Sequence, residues 1–350
     1  MKTRPPLSVL DLATVGVGKS SGQALADSTT LAQAADRLGF RRFWVAEHHN
    51  MPAVASTSPP VLMAHLASRT ERIRLGSGGV MLPNHAPFVV AEQFALLEAL
   101  YPDRIDLGIG RAPGTDQATA MALRRQAGGL GVEEFPQHVL QVMSLLGDHR
   151  SPEKALNLVA TPSATSFPEV WLLGSSGYSA QLAGMLGVRY SYAHHFGNED
   201  PAAIMNLYRS NFQASPVLDE PHAMLATSAL TADTEEEANY LAGPARIMAL
   251  ALRSGRLGPI VSPEEAAARQ LTDQELMVLE HLPAIKAVGT PAQVVERLDA
   301  LVQQTGVNEV MITGTTYDVA SRVASLEALD AAWADDVSNG IPVGNKSRTM

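Results

Sequence analysis

The stretch FWVAEHHNMP, residues 43–52, runs four apolar residues straight into a carboxylate and two imidazoles. Phe43-Trp44-Val45-Ala46 reads as a buried strand, and Asn50-Met51-Pro52 as the turn that ends it. Glu47, His48 and His49 are costly to bury without partners. They are either ordinary polar residues at a strand end or the lining of a site. Side chains alternate along a strand, so His48 and His49 face opposite ways while the strand lasts. One of the two is expected to face a site and the other to pack or cap nearby.

Seven further runs of this kind flank the first. In chain order the eight are LSVLDLA (7–13), RRFWVAEH (41–48), RIRLGSGGVML (72–82), RIDLGIG (104–110), EVWLLGSS (169–176), RYSYAHHF (189–196), HAMLATSAL (222–230) and NEVMITG (308–314). Helical patterns lie between most of them. Leu25, Leu31, Ala34, Ala35 and Leu38 fall at helical spacing, with Gly39 where a C-cap belongs. PFVVAEQFALLEALYP opens on Pro87, a good first helical residue, and closes before Pro102. The first four strands start at 7, 41, 72 and 104, the spacing of one strand–helix unit. Eight such units predict an α/β fold, a (β/α)8 TIM barrel with an insertion between strands seven and eight. A doubly wound open sheet is the second reading, because strand count does not prove closure. The expected organisation is one barrel domain over residues 1–336 and a disordered tail over 337–350.

Two intervals depart from the rhythm. EEFPQHVLQVMSLL adds a helix between strands four and five, and roughly residues 235–306 separate strands seven and eight. Within the second, LRSGRLGPIVSPEEAA (252–267) is rich in Gly, Pro and Arg. It reads either as part of a lid over the barrel mouth, within residues 242–286, or as a disordered surface insertion.

At 350 residues, 46% hydrophobic and 18% charged, the chain has a globular composition. Its formal charge of −10 argues against a nucleic-acid surface. The absence of cysteine removes disulfides, thiolate metal ligands and a thiol nucleophile, and fits a cytoplasmic location. No run approaches the ~20 apolar residues of a membrane helix. The N-terminal apolar stretch is broken by Asp11, unlike a signal peptide.

Barrel sites sit at the C-terminal strand ends, and four ends here are unusual. Strand two ends in Glu47-His48-His49, strand three holds Gly78-Gly79, strand four ends in Gly110-Arg111, and strand five in Ser175-Ser176. A Gly/Ser turn that opens a helix offers free N–H groups and the positive end of its dipole to a phosphate. Arg111 on the neighbouring strand could grip the same anion. The plainer reading is that Ser176 or Ser179 caps the helix with no ligand. Gly78-Gly79 reads either as a bulge or as a flat surface for a planar ring. Adjacent histidines lack the His-x-His spacing of a zinc barrel, so no metal is expected. His194-His195 closes strand six, and His195 is expected in a substrate pocket.

Taken in order, FWVAEHH, LGSGGVMLPNHAP, DLGIGRAPG, WLLGSSGYSAQLA and VGTPAQVVERLDAL followed by EVMIT resemble the luciferase-like family of flavin-dependent monooxygenases, over about residues 7–335. The resemblance implies a (β/α)8 barrel that binds FMN, with the phosphate on Arg111, Ser175, Ser176 and Ser179 and the ring against a cis peptide at Gly78-Gly79. It places the catalytic pair at His48 and Glu47. It implies reduced FMN supplied by a separate flavin reductase, dioxygen as co-substrate, a small organic substrate, and a homodimer through helices at 59–70 and 87–100. The luciferases carry a reactive cysteine where this chain has Gly110 and a Glu where it has Ser175, so light emission is not expected. The rival readings are a same-fold hydride-transfer oxidoreductase using a deazaflavin or nicotinamide, and a flavin-binding protein without turnover.

Overall fold

The structure is a computed structural model describing residues 4–112, 114–124, 133–147, 158–253, 258–280 and 287–338. Its strands are β1 (Leu7–Asp11), β2 (Arg42–Val45), β3 (Arg74–Ser77), β4 (Val80–Met81), β5 (Ile105–Gly110), β6 (Glu169–Gly174), β7 (Arg189–Ala193), β8 (Ala223–Thr231), β9 (Ala287–Gly289) and β10 (Glu309–Thr313). The helices are α1 (Ser21–Leu38), α2 (Pro59–Ala67), α3 (Pro87–Leu100), α4 (Gln117–Arg124), α5 (Phe135–Leu145), α6 (Gly177–Leu186), α7 (Pro201–Asn211), α8 (Glu235–Leu241), α9 (Gly243–Arg253), α10 (Pro263–Ala268), α11 (Asp273–Glu280), α12 (Pro291–Thr305) and α13 (Val319–Ser338).

Every strand pair is parallel, and β10 pairs both β1, at Leu7↔Val310, and β8, at Glu309↔Met224. That double pairing closes the sheet into a (β/α)8 barrel and excludes the open sheet. Gly78-Gly79, joined by a cis peptide, splits the third run into β3 and β4, both of which pair β5. β9 is an addition that the sequence pattern did not reveal. It pairs the C-terminal extension of β8, Ala229↔Ala287, outside the ring.

The predicted signals at Gly39 and Pro87 act as expected, and a cap at Ser20 joins them. Ser20 caps α1 in a capping box with Gln23, and Gly39 ends it at φ 82°. Pro87 opens α3. The insertion folds as α8 to α12 with β9, and is anchored between α9 and α10. Ile260 is buried and exchanges backbone hydrogen bonds of 2.8 Å with Val15 and Val17. The disordered reading is therefore corrected for residues 258–262, while 254–257 lie outside the described residues. α13 extends to Ser338, past the expected start of the tail, and residues 339–350 lie outside the description. Among the described residues no helix is long and apolar enough to cross a membrane.

Alternation along β2 sets the interior. Phe43 and Val45 join the core between sheet and helices, and Trp44 joins a second core inside the ring with Leu10, Trp171, Met224 and Met311. Below Trp44, the fully buried Arg42 binds Asp106 at 2.8 Å, Glu309 at 2.8 Å and Glu169 at 2.9 Å. Arg74 also reaches Asp106 at 2.8 Å, and His222 reaches Glu309 at 2.8 Å. This ionic layer plugs the N-terminal end of the barrel. Trp44 roofs it, donating its indole N–H to Asp106 at 2.9 Å.

Candidate active site

Past the tryptophan layer the barrel opens into a cavity of about 570 Å³ at the C-terminal strand ends. His48, Gly78, Gly79, Arg111, Ser175, Ser176, Ser179 and His195 all line it. Residues from five strand ends, far apart in sequence, thus meet in one space.

On the β2 side, Trp44, Ala46 and His48 line the cavity, whereas Glu47 does not. Glu47, expected in the catalytic pair with His48, thus lies behind the lining and touches the cavity only through its neighbours. The same alternation that turns His48 inward turns Glu47 outward. There its carboxylate accepts from the Met81 amide at 3.0 Å and from the Asn84 side chain at 3.3 Å. It also bonds the Nε2 atoms of His49 at 2.9 Å and His85 at 2.8 Å. Burial pushes this carboxyl up, but the bonds from His85, His49 and Met81 win and hold it below its ordinary value. Glu47 is a buckle between the end of β2 and the loop after β4. His49 belongs to that buckle.

His48 is half-buried, and its Nδ1 is buried with no hydrogen-bond partner among the described residues. Burial lowers its pKa; the Glu47 charge opposes this and His49 adds to it. His195 is held further down, to about 4, chiefly by burial. Its Nδ1 lies 3.2 Å from the Ala226 carbonyl oxygen, which can only accept, so Nδ1 carries the proton. Its Nε2 is then a bare acceptor. His194, the other member of that pair, does not line the cavity.

Arg111 follows β5, and its guanidinium lies over the Tyr178 ring, 4.1 Å from the centroid. Tyr178 is in the first turn of α6, so the cation is held beside that helix's N-terminus. No carboxylate pairs with Arg111 among the described residues. Ser176 sits at the N-cap in extended conformation, yet its hydroxyl caps nothing. The ligand-free capping reading of Ser176 is thus not what this helix adopts. Gly174 leaves room for Ser179, whose Oγ would lie 2.2 Å from a Cβ there. Gly79 admits no side chain either, since a Cβ would meet the Gly108 carbonyl oxygen at 2.8 Å.

The sequence reading missed one wall. Ala245, Met248, Ala249 and Leu252 of α9 face the cavity. Their i, i+3, i+4, i+7 spacing is an amphipathic signature that was there to be found.

Comparison with known proteins places the chain among related sequences and folds. The family model for luciferase-like monooxygenases matches residues 6–309. A luciferase-like monooxygenase of Escherichia coli K12 is 40% identical over 320 residues, covering 91% of this chain and 94% of that protein. An N-acetyl-S-alkylcysteine monooxygenase of Bacillus subtilis is 33% identical over 330 residues, covering 93% and 97%. The crystal structure of apo-MsnO8 superposes with a TM-score of 0.87 at 33% identity, covering 94% of this chain and 98% of that one. Two more distant structures share the fold. One is the oxygenating constituent of 3,6-diketocamphane monooxygenase of Pseudomonas putida in complex with FMN (TM-score 0.70, 18% identity, 95% and 99% covered). The other is an F420-dependent secondary alcohol dehydrogenase (TM-score 0.66, 14% identity, 95% and 100% covered).

Proposed function

The chain belongs to the luciferase-like monooxygenase family of oxidoreductases, and from that premise we propose that it is an FMN-dependent monooxygenase acting on a small organic substrate. The observation that carries the proposal is the conjunction, in one cavity, of an Arg111 without a carboxylate partner and the uncapped N-terminus of α6. Cation, helix dipole and free N–H groups together suit a phosphate. Ser175, Ser176 and Ser179 add hydroxyls to the same seat. The side-chain-free surface at Gly78-Gly79 suits the flat face of a ring. Reduced FMN, when bound, supplies two electrons to dioxygen, so that one oxygen atom enters the substrate and the other leaves as water.

The chain's own residues then do three things. Arg111 and α6 hold the phosphate. His48, neutral and with an unpartnered Nδ1, takes or returns a proton at the reacting centre. The apolar walls and the anchored insertion keep bulk water away. The same-fold reading with F420 and hydride transfer is separated by cofactor preference. A flavin reductase is the proposed electron source, and the cytoplasm the proposed location. Exposed Val61 of α2 and Val89, Leu96 and Leu100 of α3 support a homodimer through these helices. Light scattering should report a dimer that Leu100→Asp splits.

The testing experiment titrates FMN, riboflavin and F420 into the protein. FMN should bind about ten- to a hundredfold tighter than riboflavin, the size of one or two charge-assisted bonds. Equal affinities remove the phosphate seat. Preference for F420, or rapid NADPH oxidation by the protein alone, transfers the chain to hydride chemistry.

A further inference from the structure

Among the described residues that line the cavity, Arg111 is the single Lys, Arg, Asp or Glu. On the proposed reading that cation is spent on the cofactor's phosphate. The wall built by the end of β8, β9 and α9 is aliphatic at Leu230, Val288, Ala245, Met248, Ala249 and Leu252, and Ser228 of β8 adds one neutral hydroxyl. The polar groups left for a second molecule are neutral. His195 has its Nδ1 proton committed to Ala226, so it offers a lone pair at Nε2.

From this lining we infer that the substrate is an uncharged, mainly apolar molecule seated against the α9 wall, with at most an O–H or N–H group to offer His195. The inference rests on the flavin reading, because it needs Arg111 to be occupied. The physical ground is desolvation. An ion taken into such a space without a counter-charge loses its hydration with no replacement, a cost of several kcal/mol. Among the described residues a carboxylate would find no cation there beyond Arg111, and an ammonium no carboxylate. Apolar groups gain about 25 cal/mol for each Å² removed from water against the aliphatic wall. A free carboxylate, such as that of the amino-acid derivative named for the B. subtilis relative, would meet no counter-charge but Arg111 among the described lining residues.

A matched pair of probes, octan-1-ol and octanoate, tests it by calorimetry at pH 8. On FMN-loaded protein, octan-1-ol should bind about tenfold or more tighter than octanoate. Equal binding, tighter octanoate or no octan-1-ol binding overturns the inference. Met248→Lys, or Leu252→Lys on the more exposed turn, should shift the preference toward octanoate. Absence of a shift in both, with the helical circular dichroism intact, also overturns it. The Arg111→Gln apoprotein separates the two readings, since it removes the cation without needing flavin. A preference for octan-1-ol there upholds the apolar seat even if FMN fails to bind the wild type. Equal affinities there overturn it and leave the flavin assignment untouched.

Discussion

Arg42 at the N-terminal end of the barrel and Arg111 at its mouth are both held against aromatic rings. Arg42 lies 4.8 Å from the Trp171 ring centroid and Arg111 lies 4.1 Å from that of Tyr178. They differ in their partners. Arg42 meets Asp106, Glu169 and Glu309, whereas Arg111 meets no carboxylate among the described residues. The histidines repeat the contrast. His222 is bonded to Glu309 below, while His48 above keeps a buried nitrogen without a partner. Saturated charge at the bottom serves the fold. At the top, Arg111 and His48 keep polar atoms without carboxylate or hydrogen-bond partners among the described residues, which is the feature the proposed function uses.

The largest effect should come from breaking the saturated end. Arg42→Met leaves Asp106 and Glu309 buried beside fewer partners and should cost about 3–5 kcal/mol of stability, read from urea unfolding. A loss below about 1 kcal/mol would mean the layer is solvated. At the mouth the loss should fall on function. His48→Ala should slow product formation by about 10²–10⁴-fold while FMN affinity holds. His49→Ala should affect stability more than rate, because His49 belongs to the Glu47 buckle. The reverse ranking would show that the strand end faces the other way. Arg111→Ala should weaken FMN about ten- to a hundredfold, with the urea midpoint nearly unchanged. A stability loss as large as that of Arg42→Met would erase the contrast between the two ends.

Much of this arrangement was legible because it is local. Strand positions, the cap at Gly39, the opening of α3 at Pro87 and the grouping of Arg111 with the α6 turn follow from short patterns in the chain. Closure was not legible, since the pairing of β10 with β1 joins residues some 300 positions apart. Nor was the plug: Arg42, Asp106 and Glu309 lie on three separate strands, and each alone reads as an ordinary polar residue near a strand start. The position of Glu47 behind the lining was overlooked for another reason. The alternation that separated His48 from His49 also separates His48 from Glu47, but adjacency in a motif outweighed it. The α9 wall was hidden by its setting, because the Gly, Pro and Arg that follow it drew the reading toward a loop.

Acid titration should resolve the two ends one after the other, with the smallest effects. At the mouth, His195 is held at about 4 against an ordinary value of 6.5, because burial disfavours its charged form. The unfolded chain takes that proton first as pH falls. The stability His195 contributes is therefore complete above pH 6.5 and is lost between there and about 4. At the plug, Glu309 is held at about 2 against 4.5; burial alone would raise it, but hydrogen bonds from His222 and Arg42 prevail. Its contribution is complete above about 4.5 and is lost as pH falls towards 2. Stability should thus decline in two windows, the upper set by the mouth histidines and the lower by hydrogen-bonded carboxylates, Glu309 and Glu169 of the plug together with Glu47 and Asp36. Urea midpoints at pH 7, 5.5, 4 and 3 read both. His195→Gln should flatten the upper window only, leaving the smaller share of His48, which titrates with the same sign. Glu309→Gln should reduce the slope of the lower window only, leaving the shares of Glu47 and Asp36. If His195→Gln leaves the slope between pH 6.5 and 4 unchanged, His195 is solvated and protonates normally. The mouth would then hold a cation in mild acid, and the uncharged lining described above would exist only at higher pH.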